Sequence, residues 1–341
     1  MPNSIAFAKT YIPIIDEVYQ NASVSRVLTS GGRIVRSTHN AKEIMIPKIS
    51  VSGLGDYTRD QGYKTGSINL EYQIRQMNYD RGIKITADVM DVAESGVEDC
   101  FFEAGAELQR THVAPEADAF TFSQIASHTG IGSSVDDFGS ATATDVLAKL
   151  RDVTSLMDEH QVTEGARYLF ITPTLKGVLD DYSYANPTRS NRVLERFKEI
   201  IEVPQSRFYT AIDLLSGDDD QFGYQKAAGD YELTEDTEVD SSKTYYTRSG
   251  TDPNYTYTVV ASPTKSNLGT YYELLGAGAC LNFIVVEKGA VIKFDRHIAS
   301  RIFSPDELES LDSYMLKYRK YGIVDLLDNK LAGVYASAAT E

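Results

Sequence analysis

Five histidines could bind a metal or move a proton: His39, His112, His128, His160 and His297. No two stand in an H-E-x-x-H arrangement and no Cys/His cluster accompanies them, so each reads as a surface or interface side chain. A hydrolase serine on a strand-to-helix elbow would need G-x-S-x-G, which is absent. Phosphate cradles would start from Gly53-Leu54-Gly55, Gly130-Ile131-Gly132 or Gly276-Ala277-Gly278. None continues into G-K-[ST] or supplies the third glycine that seats a pyrophosphate on a helix N-terminus, and all three read as turns or joints. Asp218-Asp219-Asp220 lacks the alternating oxygens, central glycine and distal bidentate glutamate of a calcium loop, which leaves a solvated acidic loop. Cys100 sits among Glu94, Glu98, Asp99 and Glu103, the wrong electrostatics for a reactive thiolate, and reads as a small hydrophobe on a helix. The expectation is therefore no catalytic residue, no metal and no cofactor.

The composition agrees with a structural role. The 341 residues suggest two or three domains, and 42% hydrophobic with 24% charged residues is an ordinary globular balance. No run approaches the roughly 20 apolar residues that span a bilayer. The opening MPNSIAFAKTYIPIIDEVYQ has no basic n-region, uninterrupted h-region or cleavage site, so neither signal peptide nor membrane anchor is expected. Cys100 and Cys280 make no disulfide framework, which suits a reducing compartment. The sequons at Asn21 and Asn254 mean little without a secretory route. Net charge is −16, from 33 basic and 49 acidic residues, which works against gripping a phosphate backbone. It does not prevent enclosing nucleic acid, because salt confines the repulsion to about 10 Å.

Elements follow from periodicity. Residues 1–40, with Gly31 and Gly32, read as an extended arm. Residues 44–51 and 68–74, the latter a clean period-two alternation, flank a tip containing Gly53, Gly55, Gly62 and Gly66, a long hairpin whose apolar face must pack on its own domain or on a neighbour. Ser95 and Glu98 form a capping box that predicts a helix carrying Val97, Phe101, Ala104 and Leu108. Pro115 should stop or kink it before a second run with Ala119, Phe122 and Ile125. After a joint at residues 130–139, a third helix aligns Val146, Leu147, Leu150, Val153 and Met157. A buried strand at 168–171 runs into Thr172-Pro173, a helix start. Residues 230–273 are dense in Tyr and Thr and predict a small antiparallel β unit. A buried strand at 281–286, a short strand around Val291, a helix start at Ser304-Pro305-Asp306-Glu307 and a last strand near 333–335 complete an α+β chain.

The order of these pieces carries a resemblance, together with Arg301-Ile302-Phe303-Ser304-Pro305-Asp306, Tyr318-Arg319-Lys320-Tyr321-Gly322 and Asp328-Asn329-Lys330-Leu331-Ala332-Gly333-Val334-Tyr335. The chain resembles HK97-fold major capsid proteins of tailed bacteriophages and prophages of Gram-positive hosts. Its stretches at 231–234 and 243–248 look like an accessory insert of that group. The resemblance implies an N-arm at 1–40 and an E-loop at 41–86 lying across a neighbouring subunit. It implies a P-domain at 87–125 and 281–320 with a spine helix from Ser95, and an A-domain at 126–229, 274–280 and 321–341. An all-β, immunoglobulin-like insert would occupy 230–273 and project outward. The implied function is a coat protein whose hexamers and pentamers close an icosahedral shell around double-stranded DNA, without sequence-specific binding, in the host cytoplasm. With no long scaffolding segment before the arm, a separate scaffolding protein is expected, beside a portal and a decoration protein. Some relatives join an E-loop lysine to an asparagine of a neighbour. Lys64 lies at the tip, but no partner or catalytic acid is identifiable, so no cross-link is expected. The alternatives are an encapsulin-type compartment, or an adhesion or carbohydrate-binding module carried by the insert.

Overall fold

The computed structural model describes residues 22–29, 36–37, 42–60, 62–95, 100–186, 191–240, 243–251, 254–308 and 312–340. The chain divides into two units, Met1–Ala114 with Lys288–Lys330, and Pro115–Glu287 with Leu331–Glu341.

The first unit holds the hairpin and a three-stranded antiparallel sheet. Strands Glu43–Val51 and Ile68–Gln76 pair with Val51 opposite Ile68 and Met45 opposite Ile74. Arg36–Ser37 adds a short third strand against Ile44 and Met45. Beyond those two positions the outer edge of Glu43–Val51 has no partner strand among the described residues, which is where a proline such as Pro47 is tolerated. The second sheet has Ser313–Leu326 between Tyr79–Asp88 and Val291–Phe303. Ile44 and Ile46 at the hairpin base are buried against Ile292 and Ile323 of that sheet.

Helical residues run Cys100–Leu108, then a π turn Gln109–Val113, then Ala114–Ala126. The Ala114 N–H reaches back to the Gln109 carbonyl, the wide spacing of a π turn. Pro115 therefore does not end the helix, because the widened turn absorbs the missing N–H and the ring. Ser95 is the last residue of a short helix, Val89–Ser95, started by Asp88, whose carboxylate accepts the Met90 N–H at 2.8 Å. The expected capping partner Glu98 lies outside the described residues, as do Val97 and the side chains of Cys100 and Phe101.

The second unit is built on a five-stranded sheet in the order Gly132–Val135, Val334–Ala338, Leu281–Glu287, Arg167–Ile171, Glu199–Glu202. The two outer pairings are parallel and the inner two antiparallel. Its central strands are continuous apolar runs because both faces are covered. On one face Val146, Leu150, Val153 and Met157 of helix Ala143–Glu159 and Leu175 and Leu179 of helix Pro173–Ala185 pack on Leu169, Ile171, Phe283 and Val285. On the other, Phe122 of helix Ala114–Ala126 meets Phe170 and Phe208 edge-on, with centroids 5.0 and 5.1 Å apart. A separate antiparallel sheet orders Asp230–Leu233, Tyr272–Leu275, Tyr245–Thr251 and Asn254–Val259. It is a single four-stranded sheet, and the second sheet of an immunoglobulin sandwich is missing among the described residues.

Several expected boundaries move. Residues 281–287, expected in the P-domain, pair with 167–171 and 334–338, because the apolar run 283–286 needs two covered faces. Residues 321–326, expected in the A-domain, continue the long strand Ser313–Leu326. Residues 79–86, expected in the E-loop, pair with that strand instead. The short strand at Val291 is the 13-residue Val291–Phe303, and the helix start at Ser304 yields one capped 3-10 turn, Pro305–Glu307.

Candidate interaction site

Among the described residues, the reactive candidates are not brought together. His112, His160 and His297 are exposed on separate elements, and the Nδ1–H of His128 donates to the Thr129 carbonyl at 2.8 Å. His39 lies outside the described residues. Among the described residues no group of His, Cys, Asp and Glu is placed to hold a metal ion. Asp218, Asp219 and Asp220 form an exposed 3-10 turn, in which Asp218 accepts from the Ser216 hydroxyl at 2.6 Å. The glycine pairs are structural. A Cβ on Gly132 would stand 2.5 Å from the Tyr335 ring, and one on Gly278 would stand 2.2 Å from the Ala211 carbonyl oxygen.

A well-connected carboxylate, Asp136, serves the fold. Asp136 accepts from Lys149 (2.9 Å), Ser337 (2.8 Å) and Ser134, and its carbonyl accepts from Asn282 (2.9 Å). Burial opposes its ionisation, yet these bonds prevail and hold the carboxyl below its ordinary value. It joins the parallel edge strand Gly132–Val135 to Val334–Ala338 and helix Ala143–Glu159. Burial likewise pushes the Tyr224 hydroxyl up to about 12, and it donates to the Ser206 carbonyl at 2.9 Å.

What the described residues do offer is surface. In the hairpin register, Ile49, Val51, Ile68, Leu70, Tyr72 and Ile74 share one face, and all are exposed, Ile68 by 75% and Val51 by 66%. The opposite face is fastened at its base. Ile44 and Ile46 are buried there, and Arg75 pairs with Asp325 (3.3 Å) and Asp328 (2.5 Å) while Gln73 donates to Asp328 (3.0 Å). The ribbon is thus fastened at its base, and its apolar face is exposed among the described residues. Contiguous apolar surface of this kind marks an interaction site, and each such aliphatic side chain contributes about 1.5–3 kcal/mol once fully covered. Its tip adds exposed Leu54, Tyr57 and Tyr63, the two rings 4.8 Å apart. Alternation revealed this face in the sequence. The Arg75 anchor was not legible there, since its partners lie about 250 residues away.

No protein-family model matches the chain, and no curated protein sequence matches it. Solved structures do. A capsid chain of cyanophage P-SCSP1u is similar at TM-score 0.52 and 13% identity, over 90% of this chain and 86% of that one. The mature capsid of bacteriophage PhiM1 gives 0.52 and 13%, over 88% and 83%. A virus-like particle from Pyrococcus furiosus gives 0.51 and 8%, over 97% and 99%. At these identities the likeness speaks to architecture, and it spans nearly the whole chain. The fold is that of phage capsid subunits, the HK97-like fold that the sequence resemblance implied.

Proposed function

We propose that this chain is the major capsid protein of a tailed phage or prophage, assembling as hexamers and pentamers into an icosahedral shell around double-stranded DNA. The observation that carries this reading is the exposed apolar face of a hairpin fastened at its base, on a chain with a capsid-subunit fold. Such a ribbon is marginal in water unless something covers it, and a further copy of the same chain supplies a cover at every position of a closed lattice. In this reading residues 43–76 are the E-loop, and the tyrosine-rich sheet is an insert in the A-domain. The chain would assemble in the cytoplasm of a Gram-positive host beside separate scaffolding, portal and decoration proteins. The acidic balance fits a lining that encloses DNA without holding its sequence.

Negative-stain electron microscopy of the concentrated chain, alone and with its scaffolding protein, tests the proposal. Closed shells, or rings of six and five, are expected. Dispersed monomers under both conditions would overturn it. Shells that co-purify with one enclosed enzyme instead of a genome would favour the encapsulin-type compartment.

A further inference from the structure

We propose that a cross-strand row of three cations, Lys84, Lys317 and Arg301, is the seat for a carboxylate-bearing surface of a second copy of this chain. The inference rests on the shell-forming reading and deepens it. Lys317 stands in the central strand Ser313–Leu326, directly opposite Lys84 on one side and Arg301 on the other. With strands about 4.8 Å apart, three exposed positive charges fall within about 10 Å. The next row on this face is Gly82, Arg319 and Ala299, and the one beyond it Asp80, Tyr321 and His297. Arg319 is already neutralised, its guanidinium donating to both Asp80 oxygens at 2.8 and 2.7 Å. The Lys317 ammonium lies 4.9 Å from the Phe303 ring centre, and none of the three cations forms an ion pair with a described carboxylate. Together they line a shallow groove of about 470 Å³ with Ile83, Tyr318 and Arg319.

Like charges directly opposite one another across strands destabilise a sheet. Here they stand in a chain of net charge −16, so they are local exceptions to its field. A compact anionic group would relieve the repulsion, and a second copy brings 49 carboxylate residues against 33 cations. Nucleic acid fits less well. Phosphate-backbone affinity grows with the number of cations that meet phosphates, and this row offers three inside a repelling field.

The test uses the full-length chain under conditions in which it assembles, with sedimentation velocity as the readout across a salt series. The triple variant Lys84→Gln, Lys317→Gln, Arg301→Gln should need about tenfold more protein to assemble and lose much of the salt dependence. The charge-preserving set Lys84→Arg, Lys317→Arg, Arg301→Lys should behave as wild type. Thermal unfolding of the triple variant monitors folding, and the single Lys84→Gln and Arg301→Gln variants, each expected to show a smaller shift of the same sign, replace it if it does not fold. Assembly of the neutral variants at wild-type concentration and salt slope would overturn the proposal. So would retardation of a double-stranded oligonucleotide by wild type that the neutral variants abolish, since the row would then belong to phosphate. Wild type that never assembles overturns the shell reading as well, which separates the two failures.

Discussion

Arg167 is fully buried at the start of strand Arg167–Ile171, where its guanidinium donates to the Asp158 carboxylate (2.6 Å) and to the carbonyls of Val162 (2.5 Å) and Thr154 (3.4 Å). Replacing it with methionine keeps the volume but leaves two carbonyls without their donor. Arg167→Met should cost about 2–3 kcal/mol in urea unfolding. Asp158→Asn should cost less, about 1 kcal/mol, because the asparagine amide oxygen still accepts from the buried guanidinium and both carbonyls keep their donor. Equal losses would show that the ion pair, not the carbonyls, matters. Asp136 makes a second prediction. Its carboxyl is held below the ordinary value in the folded chain, so its contribution is complete above the unfolded carboxylate range, about pH 4, and disappears as pH falls through the lower folded value. The urea midpoint of wild type should fall more steeply than that of Asp136→Asn as pH drops from 5 towards 2; parallel curves would remove Asp136 from the acid response. Neither residue announced itself in the sequence. Asp136 is one of two adjacent aspartates in a glycine-rich joint, and only the return of Ser337 and Lys149 to the same spot gives it a role.

At the scale of elements, legibility followed periodicity. The second strand of the hairpin alternates with period two, and the helix with Val146, Leu150, Val153 and Met157 repeats at helical spacing, so both were visible. The strand Ser313–Leu326 was not, because Lys317, Arg319 and Lys320 interrupt its apolar positions and only pairing on both sides reveals it. Helix Val89–Ser95 was missed although Asp88 signals its start. The hairpin also yields the clearest separation of folding from association. Ile68→Thr, Leu70→Thr and Ile74→Thr together remove half of the exposed apolar face while leaving Ile44, Ile46 and the Arg75 anchor in place. Unfolding free energy of the monomer should change by less than about 1 kcal/mol, since exposed substitutions rarely cost more. Shells or rings should be lost in electron micrographs. Assembly that survives would mean that this face is not the subunit contact.

At the scale of the whole molecule, the tyrosine-rich sheet is the part whose removal the rest should survive. Its edge pairing sets Leu233 directly opposite Tyr272, so the chain enters and leaves at adjacent points. Everything beyond that pair, including the small core of Tyr245, Leu268 and Tyr271, belongs to residues 234–271. The main core of the second unit, formed by strands 167–171, 281–287 and 334–338 and their helices, draws on none of them. Replacing 234–271 with Asn-Gly would close Asp230–Leu233 and Tyr272–Leu275 as a two-residue hairpin, the loop that suits strand twist. The shortened chain should unfold within about 3 °C of wild type, because no buried cavity is opened. It should still form shells of unchanged diameter, as the proposed shell-forming function requires if the sheet is an ornament. If the shortened chain folds but no longer assembles, the sheet is itself a lattice contact. Its tyrosines, with Arg248 lying 4.4 Å from Tyr255 and 4.8 Å from Tyr272, would then act between subunits and not toward the outside.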